Sequence, residues 1–503
     1  MNVTPTPRTA IAVLAIAFAL GLAGDLLLRA IPWGLNVFLC TLALVGAGAW
    51  LLRRSGARRG PDTPWLALTA LLLGAAFVRR DAALLGVFDV IALAVTLVLA
   101  AAAARGADIR RLRPAGYAAA GARMALDLVS GPPRLVFAEV PWHDLTTSGR
   151  MARARGVVIG VLLALPLLVV FGALFMAADA VFDRMITTAL RFDLAEAVSH
   201  MFLIGFWTVL AAGYLRSVAL APAGMPRHPV QFTAGLGITP VATALGLVAG
   251  LFLLFVGVQL RYFFGGADLV QQTVGLTYAE YARRGFLELV TASGLVLPVL
   301  LGADWTLRAA PPAERRTFHR LAGLLLALLA VVMASGLERA RLYVAAYGWS
   351  EIRLYATAGM LYLVGVFAWL AATLLREQGH RFAFGALIQG LTVLGALHVL
   401  NPDAFIVRRN LDRPGEGRPF DAAYAVSLSG DAVPVLLNAL PRLPPKDRCD
   451  IATVLLHRWG EASDADWRTW NWGRARARRL VAEHRPALTA ACPSPGTTIE
   501  ETP

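Results

Sequence analysis

Eleven long apolar runs dominate the chain, near residues 10–28, 32–52, 63–78, 82–104, 157–177, 197–215, 239–260, 284–302, 320–337, 354–375 and 383–400. A helix needs roughly 20 apolar residues to cross about 30 Å of hydrocarbon. Backbone groups in lipid must be satisfied within the segment, so such runs fold as helices. The expected fold is all-α: a polytopic transmembrane bundle of about eleven spans with a small helical C-terminal extracytoplasmic domain. Composition agrees, with 57% hydrophobic and 16% charged residues, where soluble domains carry about 25% charged.

Arginine sets the orientation. The net charge of +14 comes almost wholly from arginine, the single lysine being Lys446. With the N-terminus inside, cytoplasmic loops hold 22 arginines of the membrane region and outer loops 11, the bias that retained positive charge produces. An odd number of spans then puts the C-terminus outside, in the inner membrane of a bacterium. The same bias explains the basic charge without nucleic acid.

This reading divides the chain into a four-span region over 1–114, a cytoplasmic amphipathic loop over 115–156, a seven-span core over 157–400, a helical extracytoplasmic domain over 401–485 and a disordered tail over 486–503. Tyr117–Val129 is amphipathic enough to lie on the membrane surface, and Gly131-Pro132-Pro133 is expected to break it. In the C-terminal domain, Asp431–Leu440, Lys446–Trp459 and Asp464–His484 read as helices.

Three polar clusters fall at the outer face. The first holds Glu280, Arg283, Arg284 and Glu288, where the fourfold spacing of Glu280, Arg284 and Glu288 makes one helical stripe. The second holds Glu338, Arg339, Arg341, Tyr343, Tyr347, Glu351, Arg353 and Tyr355. Glu338 can reach Arg341, Gly348 can end one helix and Ser350 can cap the next. The third holds Asn401, Asp403, Arg408 and Arg409, with Asn401 as an N-cap, Pro402 at the first helical position and Asp403 complementing the dipole. Together they are expected to line an outward-facing polar pocket, whose arginines suit an anionic or lipid-phosphate ligand. Ion pairs that fix helix register, or an aromatic belt, explain the same residues without a ligand. Asp25 can pair with Arg29. Asp89, alone in span four, reads either as a proton or cation site or as half of a helix–helix hydrogen bond.

Cys449 and Cys492 flank the helical unit of the extracytoplasmic domain and are candidates for a disulfide if that domain is outside. No phosphate-binding GxxxxGK loop, HExxH, HxH or GxSxG occurs, and the histidines have no metal-ligand spacing. No metal or other cofactor is expected. The preferred function is a non-enzymatic transporter-like or sensory component that contacts membrane lipids. A transferase acting on a lipid-phosphate-linked substrate and a scaffold of a membrane complex are the alternatives.

The segments GLTYAEYARRGFLELV, ERARLYVAAYGWSEIRLY, NPDAFIVRRNLDR and DWRTWNWGRARA resemble a family of bacterial multi-pass membrane proteins catalogued as domain of unknown function 4173. That resemblance implies an integral membrane protein and assigns no activity to any residue.

Overall fold

The computed structural model describes residues 7–55, 60–140, 142, 160, 164, 167–168, 170–190, 194–220, 237–264, 286–307, 310–413, 420–460 and 466–492. These form helices throughout, with no strand among them. Nine of the described helices are long and apolar enough to cross a membrane. Thr63–Arg79 is a shorter apolar helix of 17 residues, and nine of the 21 residues of the expected span over 157–177 lie outside the described residues. The chain is an all-α, multi-pass membrane protein. It divides into two compact units.

The first unit comprises residues 1–71, 97–107 and 120–225. It contains α1 (Pro7–Leu28), α2 (Leu35–Arg54), most of α3 (Thr63–Arg79), the end of α4 (Ala83–Ala104), most of α5 (Pro114–Arg134), α6 (Ala180–Leu190) and α7 (Leu194–Ala219). Val13, Ala17, Leu51, Leu135 and Leu215 build its core. Asp25 of α1 bonds His200 Nδ1 of α7 at 2.5 Å and lies 3.5 Å from Arg29, and Arg29 also donates to Ser199 Oγ at 2.7 Å.

Helix α5 does not stop at Pro132-Pro133. It runs to Arg134 and passes into a π-turn over Leu135–Glu139, closed by Val140 N–H donating to Leu135 O at 3.1 Å. A wider turn tolerates bonds that the proline rings deny to an α-helix. Packing holds the segment in place. A Cβ on Gly213 of α7 would lie 2.7 Å from Leu128 Cα, so glycine there lets the two helices approach backbone to backbone. Around that crossing Asp127 accepts from Arg105 Nη1 at 2.9 Å and Ser217 Oγ at 3.0 Å. Glu139 receives Arg216 Nε on both its oxygens at 3.0 and 3.1 Å. Asp127 of the expected amphipathic stretch thus faces α7 and Arg105, the residue after α4, while Leu126 and Val129 of the same stretch are exposed.

The second unit comprises residues 72–96, 108–119 and 226–503. Its membrane helices are the first half of α4, α8 (Ile238–Phe264), α9 (Phe286–Thr306), α10 (Pro312–Tyr347), α11 (Glu351–Leu375) and α12 (Phe382–Leu400). Leu245, Leu300, Phe318, Leu325, Leu329 and Leu370 pack its largest core. Helix α10 has 36 residues and so rises roughly 54 Å, well beyond the hydrocarbon thickness. Its charged C-terminal turns extend the same rod that carries span nine.

Asn401 ends α12 with φ +58° and caps α13 (Pro402–Leu411), its side chain accepting from Ala404 N–H. Beyond it come α14 (Ala422–Ser427), α15 (Val433–Ala439), α16 (Pro445–Trp459), α17 (Trp472–Glu483) and α18 (Arg485–Ala490). Ile406, Val433, Leu436, Ile451, Leu455 and Val481 form their own core. The helix expected from Asp464 begins only at Trp472. Asp466 instead caps a short 3-10 turn over Trp467–Thr469, and Asn471 caps α17 by accepting from Arg474 N–H. Cys449 in α16 and Cys492 after α18 are joined as a disulfide, with Cα atoms 4.6 Å apart.

Candidate functional site

A densely connected polar region among the described residues of the second unit lies at the junction between its membrane helices and its C-terminal helices. The turn from α3 to α4 holds Arg80, Asp81 and Ala82. Asn471, 2% exposed, donates to the carbonyls of Phe77 at 2.7 Å and Arg80 at 2.8 Å. It thereby satisfies orphan carbonyls at the end of α3 while capping the start of α17. Asp81 accepts from Gly430 N–H at 3.0 Å and pairs with Arg474. Asp431 accepts from Asp81 N–H at 2.8 Å, and its other oxygen lies 3.6 Å from Arg80 Nη1. Asp403 accepts from the backbone N–H of Ser429 at 3.1 Å and from its hydroxyl.

Arg80 links this layer to the membrane helices. Its Nε and Nη2 donate to the carbonyl of His398 at 2.9 and 2.6 Å. His398 in turn bonds Asp89 of α4, its Nε2 lying 2.9 and 3.1 Å from the two carboxylate oxygens. Asp89 is 2% exposed. His398 is thus held twice, by Asp89 at its ring and by Arg80 at its backbone carbonyl, and Asp81 likewise meets Asp431 through its N–H and Arg474 through its carboxylate.

Burial governs the charges here. It pushes the Asp403 carboxyl above the usual carboxylate range, with the Ser429 bonds opposing. Burial also pushes Asp431 upward against its bond from Asp81 N–H and the charge of Arg80, and it lowers Arg80 against the charge of Asp431. Both partners of the Arg80–Asp431 pair are held away from their charged forms, so their attraction does not fully offset desolvation. The other oxygen of Asp403, Oδ1, is buried and accepts no hydrogen bond, and the same holds for Tyr355 Oη and His398 Nδ1. A buried carboxylate with an unsatisfied oxygen favours the protonated acid.

The sequence-derived candidates are distributed unevenly. Glu280, Arg283 and Arg284 lie outside the described residues, and Glu288 is exposed in the first turn of α9. Glu338 and Arg341 pair at 2.9 Å on the exposed side of α10, and Arg339 lies between them. The Tyr343 and Tyr347 rings meet at 4.9 Å, with the Arg353 guanidinium 4.5 Å from the Tyr343 centroid. Arg353 also donates to the carbonyls of Tyr347 and Gly348 at 3.0 and 2.6 Å. Gly348, at φ +77°, closes α10 in the left-handed region that glycine adopts readily.

The second and third clusters are brought together. Asn410 exchanges two hydrogen bonds with the Trp349 backbone at 2.7 and 2.9 Å, and Arg413 donates to the carbonyls of Ala345 and Ala346. Glu351 N–H donates to Tyr424 Oη at 2.8 Å. Asp403 acts electrostatically on both Glu351 and Tyr355. Arg408 and Arg409 are exposed, with Arg409 over the Phe405 ring at 5.5 Å. These arginines mostly cap helix carbonyls or stack on rings. Among the described residues no group of His, Cys, Asp or Glu is arranged to hold a metal ion.

Arg80, Asp81, His398, Ser429, Asp431, Asn471 and Arg474 belong to this site although none of them is among the candidates expected from the sequence. The signal available was modest: Arg79-Arg80-Asp81 fills the turn between two apolar runs, and His398 interrupts a third.

Fold and junction together define a multi-pass helical membrane protein. Its C-terminal domain is fastened to the membrane helices by buried ion pairs. The family described as Domain of unknown function (DUF4153) matches residues 67–439, most of the chain, and the protein belongs to that family. This corrects the resemblance to domain of unknown function 4173. Capped helix ends with mixed arginine and aromatic residues are what any helix leaving a bilayer tends to carry, so those segments did not discriminate between families. The tryptophan-rich piece at 466–477 lies beyond the match. The matched residues include Arg80, Asp81, Asp89, His398, Asp403, Ser429 and Asp431. No curated protein and no solved structure matches the chain.

Proposed function

We propose that this protein is a non-enzymatic sensory or transporter-like component of the bacterial cytoplasmic membrane. Proton uptake at the junction changes how firmly its C-terminal domain is held on the membrane helices. The observation that carries this reading is Arg80. One side chain grips both the carbonyl of His398, the partner of Asp89, and the carboxylate of Asp431. Protonation of Asp431 weakens its pairing with an Arg80 that also holds the end of α12 through the His398 carbonyl.

The proposed orientation puts the N-terminus in the cytoplasm and the C-terminal domain outside. The arginine distribution supports it. So does the company the C-terminal domain keeps: it bonds the turn after α3 and the turn between α10 and α11, and the arginine count assigns both turns to the outer face. The junction would then meet external pH.

The test is near-ultraviolet circular dichroism of the protein in lipid nanodiscs, titrated from neutral to mildly acidic pH. The aromatic signal of Trp349, Tyr424 and Trp459 reports packing of the domain. A sensory junction gives a reversible transition that shifts in Asp403→Asn and His398→Gln. A pH-invariant spectrum in the wild-type protein overturns the reading and favours a scaffold, which the close pairing of the junction would equally serve.

A further inference from the structure

Three tryptophans of the C-terminal domain are turned outward. Trp467, Trp470 and Trp472 are 59%, 43% and 54% exposed, whereas Trp459 of the same domain is 7% exposed. Large apolar side chains grouped on a surface mark a place of contact. We propose that these three tryptophans, with Arg79, Arg476 and Arg479, rest on the lipid headgroups of the membrane that the protein's own helices cross.

The depth of these tryptophans is set by Asn471. Asn471 sits between Trp470 and Trp472 and is fixed to the carbonyls of Phe77 and Arg80. Those carbonyls lie where apolar helix α3 ends. An apolar helix gives way to polar chain at the hydrocarbon boundary, so the tryptophans are anchored at that level. Tryptophan concentrates there because its ring is apolar and its indole N–H is polar.

Trp472, Arg476 and Arg479 lie at i, i+4 and i+7 of α17 and are all exposed, so one helical face presents a ring and two guanidiniums. Arg79 ends α3 and is also exposed. Arg79 and Arg476 both lie close enough to Arg80 to act on its charge. Arg479 is shared with Glu483 at 3.7 Å on the surface. A basic rim around exposed indoles complements anionic headgroups, and the partner this face fits is a lipid surface.

The experiment compares the wild-type protein with the triple variant Trp467→Phe, Trp470→Phe and Trp472→Phe, which retains aromatic bulk. Both are placed in nanodiscs of phosphatidylcholine and phosphatidylglycerol, with and without bromines on the upper acyl carbons. The difference between the two emission spectra isolates these three indoles from the other nine. The expected result is that bromolipid removes most of that difference emission and that iodide in the water removes little. Charge reversal at Arg476→Glu and Arg479→Glu should weaken the bromolipid effect in anionic discs. Quenching by iodide alone would place the face in water and overturn the proposal. Quenching by neither would mean that protein covers it, which overturns it too. If the triple variant fails to fold, each single variant gives the same difference for one indole.

Discussion

Asp81 and Arg474 stand 393 positions apart in sequence and meet as a buried ion pair, with side chains 10% and 8% exposed. Water is largely shut out, so each charge is compensated chiefly by the other, with Gly430 N–H on Asp81 and the Thr469 carbonyl on Arg474 adding to it. The pair locks the turn after α3 to the first turn of α17. Asn471, three residues before Arg474, makes the same connection through neutral bonds. A charged and an uncharged fastening thus act on one contact.

Removing one partner should be costly. Arg474→Ala leaves the Asp81 carboxylate with only the Gly430 N–H, and breaking a buried pair this way costs about 3–5 kcal/mol. The double variant Asp81→Asn, Arg474→Met should cost less than the two single changes added together, because it strands no charge. Thermal unfolding in nanodiscs measures all three. A loss below about 1 kcal/mol for Arg474→Ala, the range of exposed pairs, would show the junction to be open to water.

The junction should tighten in acid. Asp403 and Asp431 are held above the ordinary aspartate value, so the folded state binds protons that the unfolded state has already released. Their contribution to stability is full below the ordinary aspartate value and is lost as pH rises through the raised ones. Stability of the domain contact should therefore increase as pH falls from neutral through that window. Asp403→Asn should flatten the slope. A profile that climbs with pH across the same range contradicts the burial argument.

The crossing of α5 and α7 gives a steric test. In Gly213→Ala the new Cβ would meet Leu128 Cα at 2.7 Å and Asp127 O at 2.9 Å. Both are backbone atoms, so the helices must separate, at about 1–3 kcal/mol. The buried Arg105–Asp127 bond should weaken with them. Gly121→Ala, where the added carbon meets nothing within 4 Å, is the control and should be neutral or gain up to about 1 kcal/mol of helix stability. Equal effects from the two changes would refute close packing at Gly213.

Cys449 and Cys492 test the side of the membrane. Non-reducing peptide mapping should recover them bonded, since disulfides persist outside the cytoplasm. Their separation of 43 residues gives a chain-entropy contribution of about 4 kcal/mol, which replacing both with serine should remove. An alkaline-phosphatase fusion after Arg485 should be active and a green-fluorescent fusion dark. Free thiols together with an inactive phosphatase would place the domain inside.

Local features were legible from the residues alone. The apolar runs specify helices because lipid offers the backbone no partner. Pairs at i+3 and i+4, such as Glu338–Arg341 and Asp25–Arg29, follow from helical spacing. Asn401-Pro402 as a helix start and Gly348 as a helix end follow from the conformations those residues prefer. Each of these is settled within a few residues by the fixed rise and turn of the helix.

The tertiary structure decided the rest. Asp89 could be read as a lone titratable group or as half of a hydrogen bond, and only the position of α12 beside α4 supplies His398. Asp431 looked like the first residue of a helix, Arg80 like part of a short turn, and Asn471 like the middle of a helix. Their roles arise because the C-terminal domain docks on the end of α3. Pro132-Pro133 read as a break, yet packing against α7 carries the helix through it. A sequence determines spacing along a chain, which fixes local geometry. Partners hundreds of residues apart are chosen by which surfaces exclude water together, and that is a property of the packed molecule.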